Sequence, residues 1–156
     1  MLVKTKLLGL LLPLLLAGCI TEDESSLINV QWPEKSVVFV ADARIGTVQA
    51  LVQNAPGTLL AKTDAALPSS VRSMVIDKEH DRLWVLGSSG IDVLDAHSLE
   101  LKKHIALNTP ATAASLKRDK SGVSLYSASG ALLGRIDCHS LVAHWRSGAG
   151  AIAYQG

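Results

Sequence analysis

The chain has 156 residues, with 15 lysines and arginines against 14 aspartates and glutamates and a formal net charge of +1. That length suits one domain, and the near-neutral charge leaves no electrostatic footprint for nucleic acid. A 48 % hydrophobic and 19 % charged composition argues against a disordered chain, and two cysteines exclude a disulfide-dense scaffold.

At the N-terminus, Lys4 and Lys6 precede a leucine-rich run from Leu7 to Leu16, broken by Gly9 and Pro13. A basic start, a short apolar run and a small-residue exit form the secretory signal pattern. The run is too short for a membrane-spanning helix, which needs roughly 20 residues, and Pro13 sits badly inside a buried helix. Leu16-Ala17-Gly18-Cys19 resembles the lipobox of bacterial lipoproteins. The resemblance implies cleavage between Gly18 and Cys19, acylation of Cys19 and attachment to a membrane. It also implies, because residue 20 is Ile20 rather than Asp, the outer membrane facing the periplasm if the cell is Gram-negative. In a Gram-positive cell it implies the outer face of the plasma membrane. Residues 1–18 are then a signal peptide, residues 19–35 the lipidated cysteine and a polar tether, and residues 36–156 the folded domain. Cys138 would be the one remaining thiol. It is expected to be buried and inert, the alternative being a reactive thiol or an intermolecular disulfide.

The folded part reads as strands. A first unit is predicted at residues 37–42, 47–52 and 58–62. A second runs through Val71 to Ile76, a polar turn at Asp77 to Asp81, and Leu83 to Leu86. It continues through a glycine turn at Gly87-Ser88-Ser89-Gly90, where positive φ is expected, then Ile91 to Leu94, a turn at Asp95 to Ser98, and Leu99 to Leu107. A third unit spans residues 113–146. Asp95-Ala96-His97-Ser98-Leu99 recurs as Asp137-Cys138-His139-Ser140-Leu141, four of five residues identical at an offset of 42. Gly90 and Gly130 match at an offset of 40. The third unit reads as a degenerate copy, with Gly134-Arg135 where its third strand would end. No helical period persists.

Four antiparallel strands in a period near 40 residues are what a propeller blade requires. The succession of polar turn, Arg82-Leu83-Trp84-Val85, Gly90, Ile91-Asp92-Val93-Leu94-Asp95 and Ser98-Leu99 resembles the YVTN/WD40-like family of bacterial β-propellers, best over residues 71–107. The fold class expected is all-β: about three four-stranded blades forming an incomplete or open propeller. Propellers have roughly four to eight blades, so the stack would be open, covered at its ends, or completed by a second copy in a six-bladed ring. The departure puts the central-channel site usual for the family in doubt.

No motif carries chemistry. Asp77-Lys78-Glu79-His80-Asp81 lacks the alternating ligands and glycine of a calcium loop and reads as a solvated turn. His97 and His139 share a repeat position, which turn structure explains better than metal ligation. Ser88 and Ser89 have no strand-to-helix elbow, and Gly148-Ala149-Gly150 lacks phosphate-loop spacing. Lys102-Lys103 and Lys117-Arg118 read as solvated strand edges. Trp84, in an apolar strand, belongs to a core. Trp32 and Trp145, flanked by polar residues, are candidates for exposed binding contacts. No catalytic residue, metal site or cofactor is predicted. The function expected is a non-catalytic binding or scaffold lipoprotein with an envelope protein as partner. The alternative is a propeller-family enzyme, a hydrolase or a cofactor-dependent oxidoreductase.

Overall fold

The computed structural model describes residues 27–55, 57–63, 67, 70–108 and 112–146. The signal peptide, Gly18, Cys19 and the glycine-rich C-terminal residues 148–156 lie outside them. Among the described residues twelve strands form three antiparallel four-stranded sheets, each in simple meander order. Blade 1 holds β1 (Leu27–Trp32), β2 (Val37–Asp42), β3 (Val48–Val52) and β4 (Leu59–Lys62). Blade 2 holds β5 (Val71–Asp77), β6 (Arg82–Gly87), β7 (Gly90–Asp95) and β8 (Leu101–Ala106). Blade 3 holds β9 (Ala113–Arg118), β10 (Gly122–Ser127), β11 (Leu132–Asp137) and β12 (Ala143–Trp145). A single 3-10 turn, Pro33–Lys35, joins β1 to β2. The first strands lie side by side, β1 next to β5 and β5 next to β9, so the blades radiate from these inner strands without closing into a ring.

The core sits between the blades. One apolar cluster joins Trp32, Phe39, Ala41, Val48 and Ala50 of blade 1 to Val71, Met74, Leu83, Val85 and Leu94 of blade 2. The other joins Trp84, Leu86, Ile91, Val93 and Ile105 of blade 2 to Leu116, Val123, Leu125, Leu133 and Ile136 of blade 3. Alternate residues of a strand point to opposite faces, so Leu83 and Val85 serve one joint and Trp84 and Leu86 the other. A sheet covered on both faces needs a continuous apolar run, which is why β6 reads Leu-Trp-Val-Leu rather than alternating.

The strand positions agree with the sequence expectation for β2 to β8, with two corrections. Leu27–Trp32 was assigned to the tether but is β1, the inner strand of blade 1, paired with β2 in the register Leu27 to Asp42 and Trp32 to Val37. Its Ile28, Val30 and Trp32 alternate toward blade 2 while Asn29 and Gln31 face away. Blade 3 is also not truncated at Gly134-Arg135, because β11 continues to Asp137. Gly134 is there because the Trp145 ring crosses it. A Cβ at 134 would lie 2.5 Å from Trp145 Cε3. Gly90 likewise is not a positive-φ residue. It makes room for the His104 ring, whose Cε1 would meet a Cβ at 2.6 Å.

Trp84 is fully buried in the joint between blades 2 and 3. Trp84→Ala is expected to cost about 3–5 kcal/mol, the range for truncating a buried large aromatic residue. Chemical denaturation should show a matching fall in midpoint with an unchanged slope.

Candidate functional site

The densest polar constellation lies at the joint between blades 2 and 3, built from the ends of their inner strands and one repeated turn. Asp77 ends β5 and Arg118 ends β9, the inner strands of successive blades. Arg118 Nη2 and Nε donate to Asp77 Oδ1 at 2.9 and 3.2 Å, and Arg118 Nη2 reaches Glu79 at 3.4 Å. His80 Nδ1 lies 2.9 Å from Asp77 Oδ2. Asp77 has no solvent exposure. Burial pushes its carboxyl up, but the Arg118 guanidinium, together with His80, outweighs that and holds it below the usual carboxylate range. The expected solvated turn is therefore correct for Lys78, Glu79 and Asp81 but not for Asp77. Arg118 is likewise no solvated edge. Its charge goes inward to the preceding blade.

The turn that follows the third strand has the same geometry in blades 2 and 3. Asp95 Oδ1 accepts from the His97 and Ser98 N–H groups at 2.8 and 2.9 Å, and Asp137 Oδ1 from those of His139 and Ser140 at 2.9 and 2.7 Å. Leu99 and Leu141 N–H donate back to the Asp95 and Asp137 carbonyls at 2.8 Å, with φ of 60° and 61°. The repeated Asp-x-His-Ser-Leu is thus a turn motif. It places each histidine against the preceding blade. His97 lies 5.6 Å from Trp32, ring centroid to centroid, and His139 lies 6.1 Å from His80. The two histidines of the repeated turn thus fall one per joint, with His80 joining His139 at the second. Among the described residues no three His, Cys, Asp or Glu side chains are grouped where one metal ion could join them.

Cys138, beside His139, is buried. Burial, reinforced by the Asp77 charge, pushes its thiol up to about 12. A thiol so shifted carries almost no thiolate near neutrality, so it is inert in the folded chain. The Cys138 carbonyl accepts from Arg82 Nη1 at 2.8 Å, a second polar tie between blades 2 and 3.

Trp32 and Trp145 are placed differently from the expectation of exposed contacts, at 3 % and 6 % exposure. Their polar sequence neighbours alternate to the opposite face of the strand, which leaves the indoles facing a joint. Trp32 stacks near Phe39 at 6.5 Å. Trp145 lies over Gly134 and borders a cleft of about 180 Å³ between β8 and β12, together with Lys103, Ile105 and Leu141. A second buried carboxylate, Asp92, meets His104 Nδ1 at 2.6 Å across the β7–β8 pair. Sequence reasoning missed both the Asp77–Arg118 and Asp92–His104 pairs.

No protein-family model matches the chain, and no curated protein matches it. Solved structures do. The fold is similar to that of Sqt1 from Saccharomyces cerevisiae over 77 % of this chain and 33 % of that one, at 13 % identity and a TM-score of 0.62. It is similar to BamB from Moraxella catarrhalis over 70 % and 32 %, at 23 % identity and a TM-score of 0.56. The computationally designed Ika8 protein matches over 76 % and 35 %, at 13 % identity and a TM-score of 0.52. The chain spans about a third of the length of each. At these identities the likeness is one of fold: three propeller-like blades, not closed.

The Asp77 pair has a pH signature. A carboxyl lowered in the folded state contributes stability that is present above its unfolded value, about 3.9, and is lost as pH falls through the lower folded value. Asp77→Asn is expected to cost about 2–3 kcal/mol at neutral pH, below the range for fully buried pairs because Arg118 keeps some solvent. The gap between wild type and variant in urea melts should shrink as pH drops below about 4.

Proposed function

We propose that the chain is a lipid-anchored protein of the bacterial envelope that acts as a non-catalytic binding module through its propeller-like blades. The anchor rests on the sequence. Leu16-Ala17-Gly18-Cys19 follows a basic and leucine-rich leader, so processing between Gly18 and Cys19 would expose a cysteine for acylation. Two or three acyl chains on Cys19 make attachment effectively permanent, whereas one holds only marginally. Ile20 favours the outer membrane with the domain in the periplasm.

One observation carries the binding role. Among the described residues, blade 1 has an apolar face that no other blade covers. Val38, Val40 and Leu51 point away from blade 2 and belong to neither apolar cluster, and Leu59 of β4, paired with Leu51, is 47 % exposed. Contiguous apolar surface of this kind marks an interaction site. The polar groups at the joints, by contrast, are consumed in holding blades together, with Asp77 committed to Arg118 and Cys138 inert.

Two experiments test the proposal. Cys19→Ser is expected to abolish palmitate labelling and leave an unprocessed precursor, read by mass spectrometry of the membrane fraction. Persistent labelling refutes the anchor. Photo-crosslinking from Leu59 in intact membranes should capture a protein partner well above the background of an unrelated lipoprotein, and capture at background level refutes the binding role.

A further inference from the structure

The strand ends of the three blades form two rims, and strand direction decides which rim the chain enters. Leu27, where β1 begins, pairs with Asp42 at the end of β2, so the β2–β3 turn at residues 43–47 lies on the entry rim. The turns after β6 and β10 lie there too, because Gly87 pairs with Val71 and Ser127 with Ala113. Contacts between blades keep the rims in step. On the entry rim Arg72 Nη1 donates to the Ala113 carbonyl at 2.9 Å. On the far rim Lys78 Nζ donates to Glu34 at 2.8 Å and Arg118 Nη2 to Asp77 at 2.9 Å.

Charge divides unequally between them. Glu34, Glu79, Asp81, Glu100 and Asp119, each with a side chain half exposed or more, all lie on the far rim. The repeated turn adds Asp95 and Asp137 there. Among the described residues the entry rim carries one carboxylate, Asp42, and Arg44 Nε already stands 3.6 Å from it. The cations Arg44, Lys62, Arg72 and Arg146 are exposed on this rim. Apolar side chains are exposed beside them. Ile45 projects from the β2–β3 turn at 58 % exposure, and Leu27 is 47 % exposed. An apolar tip flanked by arginine and lysine suits the boundary between lipid headgroups and acyl chains, where the stem is buried and the charge stays at the phosphates.

We infer that the entry rim is seated on a phospholipid surface, with Ile45 among the headgroups, Arg44 beside their phosphates and the strands standing along the membrane normal. The inference rests on the lipid anchor proposed above and adds the orientation of the domain to it. The eight residues from Cys19 to Leu27 reach at most about 29 Å when fully extended, at roughly 3.6 Å per residue. Leu27 lies on the entry rim, so this rim is the part of the domain that the acyl chains hold nearest the bilayer. Basic side chains feel an anionic surface only within about a Debye length, roughly 8 Å at physiological salt, a separation that the short tether permits. Glu22, Asp23 and Glu24, between anchor and rim in sequence, are repelled by anionic headgroups, and the rim cations offset them. The inverted orientation would bring the exposed carboxylates of the far rim to the same headgroups. With the strands upright, the apolar face of blade 1 points along the membrane rather than into it.

The test uses the full-length acylated chain in vesicles of phosphatidylethanolamine and phosphatidylglycerol. Acylation occupies the Cys19 thiol and Cys138 is buried and inert, so a single introduced cysteine takes a fluorophore alone. Labels at Ile45→Cys and Ser89→Cys, on the entry rim, should be quenched by lipids that carry a spin label at the headgroup. A label at Lys120→Cys, on the far rim, should not. In the Ser89→Cys chain, adding Arg44→Ala and Ile45→Asp should lower the ratio of seated to lifted molecules by at least about fivefold, the factor that corresponds to about 1 kcal/mol for one basic residue at an anionic surface. Both changes are at an exposed turn, and the thermal melt should not move. Co-flotation with the vesicles reads the anchor separately. A chain that floats while its label at position 45 stays unquenched overturns the inference and leaves the anchor standing. Quenching at position 120 equal to that at position 45 overturns it in the same way, as does a Ser89 label indifferent to the two substitutions. A chain that does not float overturns the anchor and the inference with it.

Discussion

Burial of an apolar sheet face requires a second sheet, and the architecture follows from that constraint. A four-stranded sheet of six-residue strands is too small to fold around itself, and a single sheet with two apolar faces has nowhere to put them but against neighbours. Blade 2 meets this condition on both sides. Its β6 segment, Leu83-Trp84-Val85-Leu86, sends alternate side chains into two different cores, and every one of them is buried. Blades 1 and 3 each supply one matching face. The central repeat is for this reason the most regular in sequence. Its residues are held from two directions, whereas each outer blade has one face free of that requirement.

The rim of each joint solves a second problem, that of holding the blades at a fixed angle. Trp32, Asp77 and Arg118 occupy the last position of the inner strand in blades 1, 2 and 3. At the first joint the position is apolar, and Trp32 packs against His97. At the second it is ionic, and Asp77 takes the guanidinium of Arg118 from the next blade while His80 approaches His139. The Asp-x-His-Ser-Leu turn delivers the histidine to each place with the same geometry. The apolar solution draws on burial alone. The ionic one must offset the desolvation of a fully buried carboxylate, and it does so by satisfying both Asp77 oxygens, Oδ1 from Arg118 and Oδ2 at His80. Such a pair contributes angular definition more than net stability, because each hydrogen bond is directional where an apolar contact is not.

Most of the fold was legible in the sequence because strand signals are local. Apolar runs bounded by Gly, Asp and Ser located β2 to β8 within about two residues, and the offset of 42 gave the repeat. What failed was the assignment of faces. Leu27-Ile28-Asn29-Val30-Gln31-Trp32 alternates with period two and could have been read as a strand, but the acidic stretch before it and Pro33 after it suggested a tether. Trp32 and Trp145 were judged from flanking polar residues, although in a strand those neighbours describe the opposite face. Arg118 was judged from its neighbour Lys117 in the same way. The Asp77–Arg118 and Asp92–His104 pairs depend on which blade lies against which, and strand register and blade packing are not properties of a short window of sequence.

The unequal ends bear on how such a stack stays finite. A chain whose outgoing and incoming faces were both apolar and complementary would satisfy its first face with the last face of another copy. Unless the rotation closed, that head-to-tail contact would propagate into a filament. Repeat proteins suppress this with a terminal unit whose outer face is polar. Among the described residues Ser124, Tyr126, Arg135 and Lys117 give blade 3 a polar outer face without altering its inner one, since these positions alternate with the buried Val123, Leu125 and Ile136. Period-two geometry makes the two faces separately adjustable, so a blade can cap a stack and still pack as a blade.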